Sequence, residues 1–296
     1  MKKYICFDIG GTKVKHGLLL ADGSILSKDS YHTHGKDLEL FLNEMIDTIN
    51  MYTKNNTVSG VAISLPGFIN PHTGYSKRGG AVKALDNQNL KKLLKKRISL
   101  PVEIENDGNC AALAEKISGN AKNCSDFICV TIGTGIGGGI FINGKLLHGH
   151  SYRSGEFGFM ITQAGNEDKD ILHSNASTNA LIKSYKKLKN ISESESIKGE
   201  TVFLESSHNS SVKKLLDDWI SNVSYGIYNL AATLNPQKIL IGGGVIAQQS
   251  LIGTINNKLD QLHWWKDIKI PVESCKYQND AGMIGAMYHF IQKKGK

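Results

Sequence analysis

Ile5, Phe7 and Ile9 alternate with Cys6 and Asp8, a short, mostly apolar run with the period of a buried strand that carries one carboxylate, Asp8, toward its end. Gly10-Gly11-Thr12 then turns the chain. Residues 14–20 continue as a second strand, and Asp22-Gly23 is a dipeptide suited to a tight hairpin into a third. A helical period follows over 36–55, where Leu38, Phe41, Leu42, Met45, Ile46 and Ile49 share one face and predict a helix covering the sheet. Residues 58–65 form a continuous apolar run of strand length closed by Pro66-Gly67, which reads as a simple turn or as a ligand loop. Residues 101–105 predict another strand, and an Ala-rich helix is expected over about 109–116. The helical period returns over 212–234 through Leu215, Leu216, Trp219, Ile220, Val223, Ile227 and Leu230, until Pro236 stops it. Ile239-Leu240-Ile241 then predicts a buried strand opening into Gly242-Gly243-Gly244, with a helix beginning at Val245 and Ile246. Residues 280–291 predict a packed final helix.

The opening pattern recurs over 127–147. Phe127-Ile128-Cys129 falls on Tyr4-Ile5-Cys6, Ile132-Gly133 on Ile9-Gly10, and Asn143-Gly144 on Asp22-Gly23 after a two-residue slip. Glycine turns between antiparallel strands leave backbone N–H groups free and let phosphate oxygens approach them. Two such turns facing each other suit a triphosphate, whereas either one alone reads equally as an ordinary hairpin. A dinucleotide fingerprint and a P-loop are both excluded, because each needs a helix straight after its glycines and neither spacing is present.

Two carboxylates stand out. Asp107 falls at a strand-to-helix junction, where a carboxylate can serve as a general base. The same position serves a helix cap, so the residues alone leave both readings open. Glu156, in Gly155-Glu156-Phe157-Gly158, reads by itself as a surface glutamate or a hydrogen-bond acceptor. The glycines at 242–244 mark either a ligand turn or a helix start with close packing.

Asp8-Ile9-Gly10-Gly11-Thr12-Lys13, then Glu105-Asn106-Asp107-Gly108-Asn109-Cys110-Ala111-Ala112, then Gly133-Thr134-Gly135-Ile136-Gly137-Gly138-Gly139, then Gly155-Glu156-Phe157-Gly158 resemble, in this order, the successive motifs of the ROK family. That family comprises bacterial sugar kinases, sugar-responsive repressors and uncharacterised open reading frames. The resemblance runs nearly the whole chain and is strongest to zinc-less members of Gram-positive bacteria, which include β-glucoside kinases and N-acetylmannosamine kinases. It implies an α/β chain with the actin-like ATPase (ribonuclease H-like) fold: two lobes with internal duplication, residues 1–119 and 120–296. A final helix at about 280–292 is expected to pack back on the first lobe. The implied activity is that of an ATP-dependent, magnesium-requiring kinase acting on a hexose or hexoside, at C6, with a β-glucoside, glucose or N-acetylmannosamine as candidates. By this resemblance Asp107 is the catalytic base, and Gly80, Asn106 and Glu156 contact the sugar. His173 aligns with a second sugar-binding glutamate and reads as a substrate contact or a solvated loop side chain. Asp8, Gly10, Gly11, Thr12 and Lys13, with Gly133, Thr134, Gly135 and Gly137, are implied at the phosphates, Asp8 acting through magnesium. Gly242, Gly243 and Gly244 are implied against the adenosine. The alternative within the family is a non-catalytic sugar-sensing regulator, but the family's repressors add an N-terminal DNA-binding domain for which Asp8 lies too near the start. Homodimers are common in the family and are expected here.

Composition narrows the picture further. A length of 296 residues suggests two domains or one large one, and five Cys without a C-x-x-C spacing argue against a disulfide framework and for a reducing, cytoplasmic setting. No apolar run is long enough for a signal peptide or a membrane span. The net charge of +8 raises nucleic acid as a partner. Lys91-Lys92, Lys95-Lys96-Arg97 and Lys183, Lys186, Lys187 and Lys189 alternate with leucines at helical spacing, however, and predict solvated helix faces. The expected partners are therefore a small sugar and ATP, not nucleic acid or membrane. The chain also departs from the family: Phe159 stands where most members have His, and residues 160–178, where a Cys-rich zinc motif belongs, hold no Cys and only His173. A structural zinc site needs about four ligands, so no zinc is expected. A zinc-selective chelator should leave both the melting temperature and the catalytic rate unchanged; unfolding on chelation would contradict this reading.

Overall fold

Three antiparallel strands, β1 (Lys3–Ile9), β2 (Lys13–Leu20) and β3 (Ile25–His32), open the chain in the computed structural model, which describes residues 1–163, 165, 170–244 and 250–294. Gly23, at φ +95°, makes the hairpin turn between β2 and β3 that Asp22-Gly23 predicts. Helix α1 (Leu38–Thr53) follows, N-capped by Asp37, whose carboxylate accepts from the Leu40 N–H at 3.0 Å. Next come β4 (Val61–Leu65), the short strands β5 (Phe68–Ile69), β6 (Tyr75–Arg78) and β7 (Gln88–Asn89), α2 (Leu90–Lys95), β8 (Val102–Asn106) and α3 (Asp107–Ser118). The predicted helix at 109–116 thus begins two residues earlier, at Asp107.

The second half contains β9 (Phe127–Ile132), β10 (Ile136–Ile142), β11 (Lys145–Leu146), α4 (Leu172–Ala176), α5 (Thr178–Lys189), α6 (Gly199–Ser206), α7 (Ser210–Leu234), β12 (Lys238–Gly242), α8 (Leu251–Asp260), α9 (Trp265–Ile268), β13 (Val272–Ser274) and α10 (Ala281–Lys294). Asn143 and Gly144 both have positive φ, +52° and +72°, as a two-residue hairpin of matching twist requires. The helix expected at Val245 and Ile246 lies outside the described residues.

Cα proximity divides the chain into one unit of Met1–Lys122, Leu146–Ser154 and Asn279–Lys296 and another of Asn123–Lys145 and Gly155–Gln278. The first is built on a sheet of order β3-β2-β1-β4-β8, the second on a sheet of order β11-β10-β9-β12-β13. In each, the first strand in sequence pairs antiparallel with the second and parallel with the fourth, and the fourth pairs parallel with the fifth. The first core joins Ile5, Phe7 and Ile9 to Phe41, Leu42, Met45 and Ile49 of α1, all at or near zero exposure. The second gathers the apolar faces of β9, β12, α7 and α8 around Trp219, Ile227 and Trp265.

The basic runs are not uniformly solvated. Lys91 of α2 pairs with Glu103 at 2.6 Å, and Lys186 of α5 is buried, donating to the Glu193 carbonyl at 2.7 Å. Part of the positive charge is therefore consumed inside the fold. Among the described residues no helix is long and apolar enough to cross a membrane.

In the first unit α10 packs against α3 at Gly285, where an added Cβ would overlap the Cys110 backbone carbonyl. Gly285→Ala should therefore destabilise by about 1–3 kcal/mol in urea unfolding, the usual cost of overpacking. Gly253→Ala in α8, where a Cβ meets nothing within 4 Å, should instead be neutral or stabilising.

Candidate functional site

In the first unit, strand register puts polar groups in a row. Asp8 pairs with Ser64 across β1 and β4, and Ser64 with Glu105 across β4 and β8. The C-terminal ends of parallel strands are where loops collect ligands in open α/β sheets, and here they deliver Asp8, Pro66-Gly67 and Asn106-Asp107 to one edge. Ser64 Oγ donates to Asp8 Oδ1 at 2.9 Å, and Lys15 Nζ lies 3.2 Å from Asp8 Oδ2. Lys15 also donates to the Asn279 carbonyl at 2.9 Å. Gly282, in the first turn of α10, lies so close that any Cβ there would overlap the Asp8 carboxylate. A helix N-terminus favours a negative charge beside it. Each Asp8 oxygen thus takes one side-chain hydrogen bond and keeps a lone pair for another donor.

The capping question at Asp107 is decided one residue earlier. Asn106 has extended backbone and its Oδ1 accepts from the Asn109 N–H at 3.1 Å, so Asn106 is the N-cap and Asp107 the first helical residue. Asp107 is therefore relieved of capping. Its Oδ1 accepts from the Gly108 N–H at 2.9 Å. The side chain is open to solvent, yet protein crowds the carboxyl group; burial first, and the charge of Asp8 second, push it up to about 6. Asn106 also donates from Nδ2 to the Gly67 carbonyl at 3.0 Å, and its side chain hydrogen-bonds the Asp107 carboxylate. Gly67 has φ +98°, and Gly80, at φ +59°, sits against Pro66-Gly67, so Asn106, Gly67 and Gly80 converge.

The Gly10-Gly11-Thr12 turn is braced rather than loose. Gly10 N–H donates to the Lys13 carbonyl at 3.0 Å, Thr33 N–H to the Thr12 carbonyl at 3.0 Å, and Thr33 Oγ1 to the Gly10 carbonyl at 2.8 Å. Gly11, Thr12 and Lys13 remain exposed.

The second unit brings its own glycines together. Gly133 N–H donates to the Gly135 carbonyl, and Thr178 N–H to the Gly133 carbonyl, both at 2.9 Å. Gly242 pairs with Thr131, and Gly243, at φ +100°, approaches Ile132 so closely that a Cβ would overlap its carbonyl. A cavity of about 400 Å³ opens here. Gly133, Thr134 and Gly244 line it together with Thr178, Asn179 and Ile182 of α5 and Glu200 and Phe203 of α6. The Thr178 hydroxyl is buried without a hydrogen-bond partner among the described residues. Gly135 lies against the His173 ring, 3.0 Å from its Cε1 to a built Cβ, while Gly137 has open room. His173 belongs to α4 and not to a loop, although its side chain is exposed. Glu156 is half-buried on a turn set by Gly155, at φ +89° and pressed against the Gly138 carbonyl.

Several of these residues carry no sequence motif. Ser64 leaves one trace, a hydroxyl inside the apolar run of β4, whereas Lys15, Gly282 and the α6 wall of the cavity leave none.

Two sheets of one strand order, each with a glycine turn between its first two strands, define an α/β chain of the actin-like ATPase fold. Residues 4–293 match the ROK family, and the chain belongs to it. It is 38% identical over 299 residues to the β-glucoside kinase of Listeria monocytogenes, covering 99% of both chains. A solved protein of the same organism, a proposed N-acetylmannosamine kinase, superposes with TM-score 0.90 at 37% identity, with 99% of each chain covered. The ROK glucokinase of Streptomyces griseus, solved with glucose and AMPPNP, shares the fold at TM-score 0.82 and 24% identity, covering 96% of this chain and 98% of that one.

NMR of its carboxyl carbon should show Asp107 titrating near pH 6. Asp8→Asn should shift that titration to lower pH, since a neighbouring negative charge raises the pKa; an unchanged midpoint would remove Asp8 as a cause.

Proposed function

We propose that the chain is an ATP-dependent sugar kinase that transfers the γ-phosphate to the C6 hydroxyl of a hexose or hexoside, with β-glucosides as the first candidate. The observation that carries this reading is Asp107, an accessible carboxyl free of capping duty and raised to about 6. Such a group is ionised at neutral pH and still basic enough to take a hydroxyl proton as the phosphoryl group arrives. The candidate substrate follows from the full-length similarity to a named β-glucoside kinase. The two units are read as lobes of an internally duplicated fold, which the common strand order supports.

In this reading Asp107 takes the proton, and Asn106 offers its remaining Oδ1 lone pair to the ring hydroxyls beside Gly80. Glu156 accepts from a diol. Thr12, Lys13 and the turn at 133–137 receive phosphate oxygens. The cavity beside Gly244, walled by Ile182 and Phe203, suits the adenosine. Magnesium, when bound with the nucleotide, would supply positive charge against the phosphate oxygens. Asp8 fits the indirect role of holding its water, because magnesium retains several waters and needs only one or two carboxylates.

The test is ADP release with Mg-ATP across cellobiose, gentiobiose, glucose, mannose and N-acetylmannosamine. One sugar should turn over, and Asp107→Asn should lower kcat at least roughly a hundredfold while sugar affinity changes only a few-fold. Undiminished turnover in that variant would remove Asp107 from the chemistry, and silence on every sugar would remove the substrate assignment.

A further inference from the structure

Glu105, the residue two before Asp107, has no solvent exposure. A buried carboxylate persists only where donors surround it. Its Oε1 accepts from the Asn106 backbone N–H at 2.8 Å and from Asn109 Nδ2 at 3.1 Å. Its Oε2 lies 2.7 Å from His148 Nε2 and 3.3 Å from His289 Nδ1. Burial works to raise the Glu105 pKa, but the His148 hydrogen bond, the charges of His289 and His148 and the Asn109 amide outweigh it and hold the group below its ordinary range. His289, on α10, is itself buried, and that burial pushes its pKa down. Its Nε2, like Asn109 Oδ1, is buried without a hydrogen-bond partner among the described residues. The short contact to His148 is therefore the one that a substitution can remove at lowest structural cost, since that side chain is 26% exposed.

His148 reaches Glu105 from Leu146–Ser154, a segment that belongs to the first unit although residues of the second flank it in sequence. That segment is fixed at several points. Ser154 N–H donates to the His148 carbonyl at 3.2 Å, and the Arg153 guanidinium lies 4.7 Å over the Phe68 ring. Tyr152, in a left-handed conformation at φ +59°, holds its ring edge-on to both His148 and His72. A bulky aromatic at positive φ is costly and persists only where its surroundings over-determine it.

Both contacts of Glu105 Oε1 end on the first turn of α3, at the N-cap and at Asn109, and Asp107 lies between them. We propose that Glu105 and His148 are positioning residues for Asp107, His148 fixing the orientation of the buried carboxylate and Glu105 locking the turn that carries the base. Without the His148 N–H, Oε2 keeps only the longer contact to His289 Nδ1 at 3.3 Å, and the carboxylate rotates or takes a proton. Either change loosens Asn106 and Asn109. The inference rests on the reading of Asp107 as the base.

His148→Phe keeps a ring against Tyr152 and removes the donor, whereas His148→Gln restores an N–H of similar reach. His148→Phe should lower kcat roughly tenfold to a hundredfold, the scale of a misplaced catalytic group, with KM for ATP and sugar within about threefold. His148→Gln should recover kcat to within about threefold of the parent, and Glu105→Gln should show the loss again. Parental kcat in His148→Phe, or equal losses in the Phe and Gln variants, would overturn the proposal. Should His148→Phe fail to fold by circular dichroism, Glu105→Gln decides, with parental kcat there overturning it. Asp107→Asn, assayed alongside, separates the two failures: full activity in that variant removes the base itself, whereas its inactivity beside an unimpaired His148→Phe removes only the positioning role.

Discussion

The parallel register of β1, β4 and β8 is the constraint on which the chemistry of the first unit depends. It lines up Asp8, Ser64 and Glu105 across three neighbouring strands and ends β8 one residue before Asp107. A one-residue slip would turn every side chain of a strand to its other face, so no partial version of this arrangement exists. The apolar partners of these polar groups, from Ile5 to Ile104, are fully buried, and that burial is what holds the register.

Three carboxylates crowd the same edge, and the fold treats each differently. Glu105 is withdrawn from water and surrounded by two histidines, an amide and a backbone N–H. Asp8 is half-open and held by Lys15 and Ser64 beside the start of α10. Asp107 is raised by burial and by the charge of Asp8, which outweigh its hydrogen bonds from the Gly108 N–H and the Asn106 side chain.

The second unit uses the same strand order for a different purpose. Its β9–β10 glycine turn and the glycine turn after β12 meet because β9 and β12 are adjacent and parallel, and Gly243 lets the two backbones approach. The apolar wall of the resulting cavity comes from helices, through Ile182 and Phe203, and not from the glycine motifs that marked the place in the sequence.

Much of this was legible in the chain itself. The alternation through β1, the helical period of α1 and α7, the Asp22-Gly23 and Asn143-Gly144 turns and the repeat of the opening pattern are local, because strand and helix periods and turn dihedrals are set by neighbouring residues. The order of the motifs identified the family. What the sequence left open was decided by partners distant along the chain. Whether Asp107 or Asn106 caps α3 turned on one residue's backbone angles, and the tertiary contact of Asn106 with Gly67 accompanies that choice. Lys186 and Lys91 looked solvated by period and proved to be engaged, since periodicity reports a face and not what covers it. Lys15 with Asn279, Gly282 with Asp8 and His148 with Glu105 had no sequence signature at all. Each is a meeting of residues far apart in the chain, and only the pairing of strands and the docking of α10 determine which of them share space.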